Sequence, residues 1–431
     1  MSSVDPIAFL FSLERLGMKF GLANVTRLCE ALGHPERRFR SVIVAGTNGK
    51  GSVTAMLDAG LRAAGHHAAR YTSPHLVRLE ERFAIDGRDV ETPRLRDAAA
   101  RVQAAAVRLV ADGALETLPT FFECTTAVAF ELFADAQVDL AVLEVGLGGR
   151  LDATNVVMPI AAAIVSIDFD HQAQLGETLA SIASEKAGVV KPGIPVVCGA
   201  MPAEALAPIE AACAERGATL IRVDRDVHAT ARVGRDGTRI DIATPRHAFA
   251  DVPLALEGAH QAANAAVALR LLEALDDIGV TIGEDALRAA LTDAAWPARL
   301  EHFSYGGCHV TLDAAHNPAG ARALARYLGA VSADRVTLVF GAMADKDAGA
   351  MLRLLAPYVA EVIGTTAPSP RARDAASLAR IAASAGLDAI VEADPFEALE
   401  RACRRGRHVV VAGSIFLVGP VRDRMARGIL R

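Results

Sequence analysis

The sequence predicts an α/β protein of two domains, each built on an open, mostly parallel sheet. Three observations predict it. Short β-branched apolar runs alternate with helical segments along nearly the whole chain, the pattern of strands covered on both faces by crossover helices. One such strand runs through a glycine-rich, lysine-bearing turn, Gly46–Ser52, into a helix. A fresh strand–helix series begins after Trp296-Pro297, which places the domain boundary there and gives domains 1–295 and 296–431.

Composition narrows the class. A chain of 431 residues exceeds one ordinary domain, and 52% hydrophobic with 22% charged residues describes a globular protein with a large core. A net charge of −6 argues against a general nucleic-acid binder. The six cysteines (29, 124, 198, 213, 308, 403) form no C-x-x-C pair, so they suit buried thiols in a reducing cytoplasm, not a zinc site. Met1–Arg15 has no basic n-region, and the longest apolar run, Val156–Ile167, is broken by Pro159, so neither a leader nor a membrane span is expected.

Along the chain, Pro6–Leu16 has helical spacing, and Gly21-Leu22-Ala23-Asn24 is a loop before a helix at Val25–Leu32. Val42–Val44 is a buried strand, followed by Gly46-Thr47-Asn48-Gly49-Lys50-Gly51-Ser52 and a helical run from Val53. Strand, glycine turn, lysine, hydroxyl, helix is the layout of a phosphate cradle, which makes the first domain P-loop ATPase-like. Glycines admit backbone N–H groups to a polyphosphate, Lys50 supplies a point charge, and Ser52 can ligate Mg²⁺. The ordinary G-x-x-x-x-G-K-[ST] pattern fails, because Gly51 separates Lys50 from Ser52 and Val44 stands at the first glycine.

Ser73 closes a strand at Ala68–Thr72, as a ligand residue or as a turn or cap serine. Thr120 and Glu123 have capping-box spacing, while of the adjacent Phe121 and Phe122 one is left to line a pocket for a flat ring. Glu144 ends the strand V-D-L-A-V-L-E-V, as a Mg²⁺ ligand or as a buried acid paired with Arg150. His171 follows a strand at Ile160–Ile167, and Lys186 on the helix Glu177–Gly188 reads as a surface lysine. A hairpin is expected at Ala229–Ala243, and a helix after Gly258–Asn264.

The second, smaller domain is expected to be Rossmann-like, with strands at Val310–Asp313, Val336–Phe340, Val359–Gly364, Ala389–Val391 and Val409–Ala412. Arg299, Asp313-Ala-Ala-His316-Asn317 and Gly341–Asp347 carry its chemistry-bearing side chains, although Asn317 or Asp313 also reads as a helix cap.

Taken together, A-G-T-N-G-K-G-S, T-S-P-H-L, V-L-E-V-G-L-G-G-R-L-D-A-T-N, L-G-E-T-L-A-S-I-A-S-E-K-A-G, G-x-H-Q-x-x-N, W-P-x-R-L-E, D-x-A-H-N-P and G-x-M-x-D-K-D resemble the folylpolyglutamate synthases of the Mur ligase superfamily over nearly the whole chain. The resemblance implies an ATP-dependent ligase that joins L-glutamate to dihydropteroate and to reduced folates through an acyl phosphate. It implies that Gly46–Ser52, Asn264, Arg299, Asp313 and His316 bind ATP, and that Ser52, Ser73, Glu144 and His171 surround Mg²⁺, two ions in all. Lys186 would carry a metal-binding carbamate. Asp313 and His316 would orient the reacting groups. Gly21, Leu22, Ala23, Asn24, Thr120, Phe121, Phe122, Glu123, Leu151, Asp152 and Ala153 would hold the pterin substrate. Ala23-Asn24 replaces an acidic–arginine pair of the family, Ala314 a glycine, and Ala412 a threonine. No nucleic-acid or membrane partner is implied, and a monomer is expected. Four alternatives stand beside this reading, two of them a folylpolyglutamate synthase without the dihydropteroate reaction and a degenerate non-catalytic paralogue, which the intact Lys50, Glu144 and His171 disfavour. A cell-wall nucleotide ligase would need a uridine-nucleotide domain ahead of the loop, and a nucleotide-switch or ATPase module would not need the cluster at Asp313.

Overall fold

The computed structural model describes residues 5–17, 19 and 21–428; residues 1–4, part of the stretch in which a leader was sought, lie outside them. The chain forms two compact units. The first comprises Met1–His228, Ala243–Ala248 and Ala263–Ala294, and the second Ala229–Ile242, Phe249–Ala262 and Ala295–Arg431. The second unit therefore takes in segments that precede the boundary expected at residue 296.

The first unit holds β1 (Arg40–Ala45), β2 (Ala68–Tyr71), β3 (Phe83–Ile85), β4 (Arg88–Asp89), β5 (Leu140–Glu144), β6 (Ala161–Ile164), β7 (Pro195–Cys198) and β8 (Thr219–Arg222). They form one sheet in the order β4-β3-β2-β5-β1-β6-β7-β8. From β2 to β8 the pairs are parallel, and β3 and β4 add an antiparallel edge. Every residue of β5 and β6 is buried, as the uninterrupted apolar runs require of central strands. Its helices include α1 (Pro6–Ser12), α2 (Ala23–Ala31), α3 (Lys50–Ala63), α4 (Thr92–Ala111), α5 (Phe121–Ala136), α6 (Gln172–Leu175) and α7 (Leu179–Ala187).

Next come β9 (His228–Gly234), β10 (Gly237–Ala243) and β11 (Ala248–Leu254), a three-stranded sheet in the order β11-β10-β9. The second unit's main sheet runs β12-β13-β17-β14-β15-β16. Its strands are β12 (Glu301–Tyr305), β13 (Cys308–Leu312), β14 (Val336–Phe340), β15 (Val359–Gly364), β16 (Asp388–Val391) and β17 (His408–Ala412). β12 is antiparallel and the rest are parallel. The fold is thus the α/β architecture read from the sequence, with elements including β4, β11, β12, α6 and the helix Ile415–Ala426 added. Among the described residues no helix is long and apolar enough to cross a membrane.

Candidate active site

The strand order decides which sequence candidates meet. β1 lies between β5 and β6, and β2 lies on the far side of β5. The phosphate loop, Glu144, Ser73 and the segment after β6 therefore leave the same edge of one parallel sheet, where ligands bind in such folds.

Lys50 is the first residue of α3, and Gly49 caps that helix at φ +83°, a left-handed conformation suited to glycine. A Cβ on Gly49 would lie 2.3 Å from Asn264 Oδ1 and 2.9 Å from Val165 Cγ1, so the loop is clamped from two sides. Not every amide of the turn serves as expected. Thr47 N donates to Ser166 O at 2.8 Å, and Asn48 N to Ser166 Oγ at 3.0 Å. The cradle therefore narrows to residues 49–52, the first-turn amides that a helix leaves without carbonyl partners of its own. Lys50 Nζ arches back over the loop, donating to Gly46 O at 3.1 Å.

Glu144 is 5% exposed and accepts from Ser73 N at 3.1 Å. Arg150 is not its partner: that guanidinium pairs with Glu185 at 2.7 Å. Ser52 is buried on the first turn of α3, and His171 is half-buried at the start of α6. Among the described residues no three His, Cys, Asp or Glu side chains group as a metal cage. One carboxylate and two hydroxyls beside a phosphate cradle do fit Mg²⁺, which keeps waters and substrate phosphates in its shell.

Lys186 overturns the surface reading, because it is only 4% exposed. Burial, and then the charge of Lys50, lower its pKa to about 7. A Cβ on Gly149 would touch the Lys186 backbone at 2.9 Å, so glycine at 149 lets that loop lie on α7. Helical periodicity does not reveal this contact.

The three stretches assigned to the pterin also meet. α2 packs on α5, and both pack on the single turn Ala153–Val156. Thr120 and Glu123 form the expected capping box, with Glu123 N donating to Thr120 Oγ1 at 3.2 Å and Thr120 N to Glu123 Oε2 at 2.7 Å. Asp152 is a buried organiser of its loop, accepting from Leu147 N at 2.9 Å and Thr154 N at 3.0 Å, and burial raises its pKa. Phe121 is buried and stacks on Phe11 at 5.9 Å, with the Arg82 guanidinium 5.1 Å from its ring. Phe122 is half-buried beside Gly146 and Tyr71. Phe11, 40% exposed, belongs to this cluster and was not singled out by the sequence. Asn24 is 9% exposed and its Nδ2 has no hydrogen-bond partner. Asn24→Leu is therefore expected to stabilise the first unit by about 1 kcal/mol, because it removes an unsatisfied buried donor. Urea unfolding measures it, and a loss of stability would show that the amide is satisfied in solution.

In the second unit, Asp313 Oδ2 accepts from Leu300 N at 3.0 Å and Oδ1 from Ala315 N at 2.9 Å. Burial raises its pKa against the pull of Arg299. The helix cap is Asn317, which accepts from Gly320 N at 2.9 Å, so of the two residues read as a cap it is Asn317 and not Asp313 that serves. His316 Nδ1 lies 3.0 Å from Ala314 O, which assigns Nδ1 as the donor to that carbonyl. Asp347 caps the helix Ala348–Leu355, which accounts for one acid of the Gly341–Asp347 cluster.

Burial lowers His260 and His408 of this unit to about 4. Between pH 6.5 and 4 the unfolded chain binds protons that the folded unit excludes, so stability falls as pH falls through that window, each group contributing at most about 1.4 kcal/mol per pH unit. Asp313, raised by burial, opposes this. The melting temperature of the second unit is expected to drop from pH 7 to pH 5, and His408→Gln to flatten the drop. An unchanged slope in the variant would remove His408 from the account.

This edge, with its cradle, buried acid and lysine, followed by a second sheet bearing Arg299, Asp313 and His316, defines the Mur-ligase class. Residues 298–415 match the family model "Mur ligase, glutamate ligase domain". The chain is 33% identical to the dihydrofolate synthase/folylpolyglutamate synthase of Bacillus subtilis, covering 98% of each protein. It is 37% identical to a probable bifunctional folylpolyglutamate synthase/dihydropteroate synthase of Haloferax volcanii, but spans only 51% of that longer protein. A crystal structure of a bifunctional folylpolyglutamate synthase/dihydrofolate synthase with Mn, AMPPNP and L-glutamate bound superposes with TM-score 0.85 at 33% identity, covering 98% of both chains. The chain belongs to the dihydrofolate synthase/folylpolyglutamate synthase family of ligases.

Proposed function

We propose that this protein uses ATP to join L-glutamate to dihydropteroate, and to the glutamyl tail of reduced folates. The observation that carries the reading is the meeting of the phosphate cradle, Glu144 and Lys186 at one sheet edge, supported by the similar structure that holds Mn, AMPPNP and L-glutamate. The substrate carboxylate attacks the γ-phosphorus, giving an acyl phosphate and ADP. The glutamate amine then attacks the acyl carbon and phosphate leaves. Activation is required because a free carboxylate has an electron-rich carbon and oxide as its leaving group.

Residues 49–52 hold the phosphates through their amides, and Lys50 balances charge on the transferred phosphoryl group. Ser52, Ser73, Glu144 and His171 would hold Mg²⁺, two ions with a carbamate on Lys186; Mg²⁺ supplies charge neutralisation at the phosphate oxygens. Asn264, Arg299, Asp313 and His316 contact the nucleotide, and Asp313 and His316 orient the incoming amine, which reacts only when neutral. Residues 21–24, 120–123 and 151–153 hold the pterin. The protein acts in the cytoplasm as a monomer.

ADP release with Mg-ATP and glutamate tests the reading, with dihydropteroate and tetrahydrofolate compared as acceptors. Release with both is expected. Release with tetrahydrofolate alone would mean that Ala23-Asn24 has cost the pterin site. Release without any acceptor would favour a bare ATPase.

A further inference from the structure

Arg299 stands in a strained turn. Its neighbours Ala298 and Leu300 have φ of +60° and +49°, left-handed conformations that residues with a Cβ rarely adopt. Such strain persists only where the surroundings impose it. Here Glu301 Oε2 accepts from Ala298 N at 2.8 Å, Asp313 Oδ2 accepts from Leu300 N at 3.0 Å, and Ala314 N donates to Ala298 O at 2.9 Å. The same Glu301 oxygen accepts from Arg422 Nε at 2.7 Å. Arg422 comes from the helix Ile415–Ala426, beyond the matched residues 298–415. The pair is largely shielded, with side-chain exposures of 29% for Arg422 and 25% for Glu301.

We propose that Arg422 is a positioning residue: it fixes Glu301, Glu301 fixes Ala298, and the strained turn so held aims Arg299. Ala298 is fully buried, so a Glu301 that swung away would leave its amide without an acceptor. The turn would then relax to an ordinary φ and carry the Arg299 side chain with it. A lysine at 422 keeps a donor and a charge, whereas methionine keeps only the bulk. The proposal rests on the reading that Arg299 contacts the nucleotide, and its test separates the two.

ADP affinity of the full chain is measured by calorimetry, and hydrogen exchange is followed at the amides of residues 298–301. Arg422→Met is expected to weaken ADP about tenfold and to speed exchange at Ala298 and Leu300, with Arg422→Lys recovering part of both. The double variant Arg299→Ala/Arg422→Met is expected to bind no worse than Arg299→Ala alone, since the two act in series. Adding Ala298→Gly to Arg422→Met is expected to recover part of the binding, because glycine takes the left-handed φ without the steric penalty of a Cβ; a helix-docking role for Arg422 would not be rescued this way. Unchanged exchange in Arg422→Met, or losses that multiply with Arg299→Ala, would overturn the proposal. Faster exchange in Arg422→Met, with ADP affinity unaltered in Arg299→Ala, would uphold the turn-holding role and overturn only the nucleotide assignment of Arg299.

Discussion

Lys50→Ala is expected to lower kcat/KM for ATP by about 10³-fold while leaving the fold intact. The magnitude follows from removing one preorganised charge at the transferred phosphoryl group. Stability is spared because the ammonium donates to loop carbonyls, Gly46 O at 3.1 Å and Thr47 O at 3.4 Å, and to no carboxylate within ion-pair distance among the described residues. Since the charge that Lys50 meets grows as the phosphoryl transfers, kcat should fall more than KM rises. Steady-state ADP release, with melting temperature as the control, measures it. Activity within tenfold of the parent would remove Lys50 from the chemistry.

Lys186→Met is expected to lower activity about 10²-fold and to leave stability unchanged or higher. The two readouts separate function from packing, because a buried lysine replaced by an apolar chain of similar volume costs the fold little. With its pKa lowered to about 7 by burial, the lysine holds far more neutral amine at pH 7 than an ordinary exposed lysine does. Only the neutral amine adds CO₂, so carbamate occupancy rises with pH through 7 and is lost below it. ¹³C NMR of the protein in labelled bicarbonate should show one carbamate resonance that Lys186→Met abolishes. A spectrum without that resonance at pH 8, together with a fully active variant, would leave Lys186 as packing.

What could be read from the sequence was local. β1 and the turn after it are contiguous, so the β-branched run, the glycines and Lys50 announced a phosphate loop before any sheet was drawn. β11 carries Pro253, and β12 is the polar edge strand E-H-F-S-Y, so both lacked the apolar run that marks a buried strand. The helix Ile415–Ala426 contains Gly419 and Pro420, which hide its periodicity. At the site, the carboxylate of Glu144 was legible but its surroundings were not. Arg150 lies close in sequence, yet it turns to Glu185, and a donor to Glu144 comes from Ser73 in the turn after β2. Lys186 reads like any lysine on a short helix, and its burial is a property of the loop that lands on it. Asn24 was visible as a departure from the family pattern, whereas its unsatisfied amide emerges only once α2 is packed.

The stitching of Thr47 and Asn48 to Ser166 also sets the thermodynamic character of nucleotide binding. A loop tied to the neighbouring strand's exit at 2.8 and 3.0 Å has already given up its conformational freedom during folding. Binding is then expected to order little at residues 47 and 48, so calorimetry of nucleotide uptake should show a small ordering cost from that part of the loop. The same stitching makes the lead into the anion seat, residues 47 and 48, part of the sheet's frame.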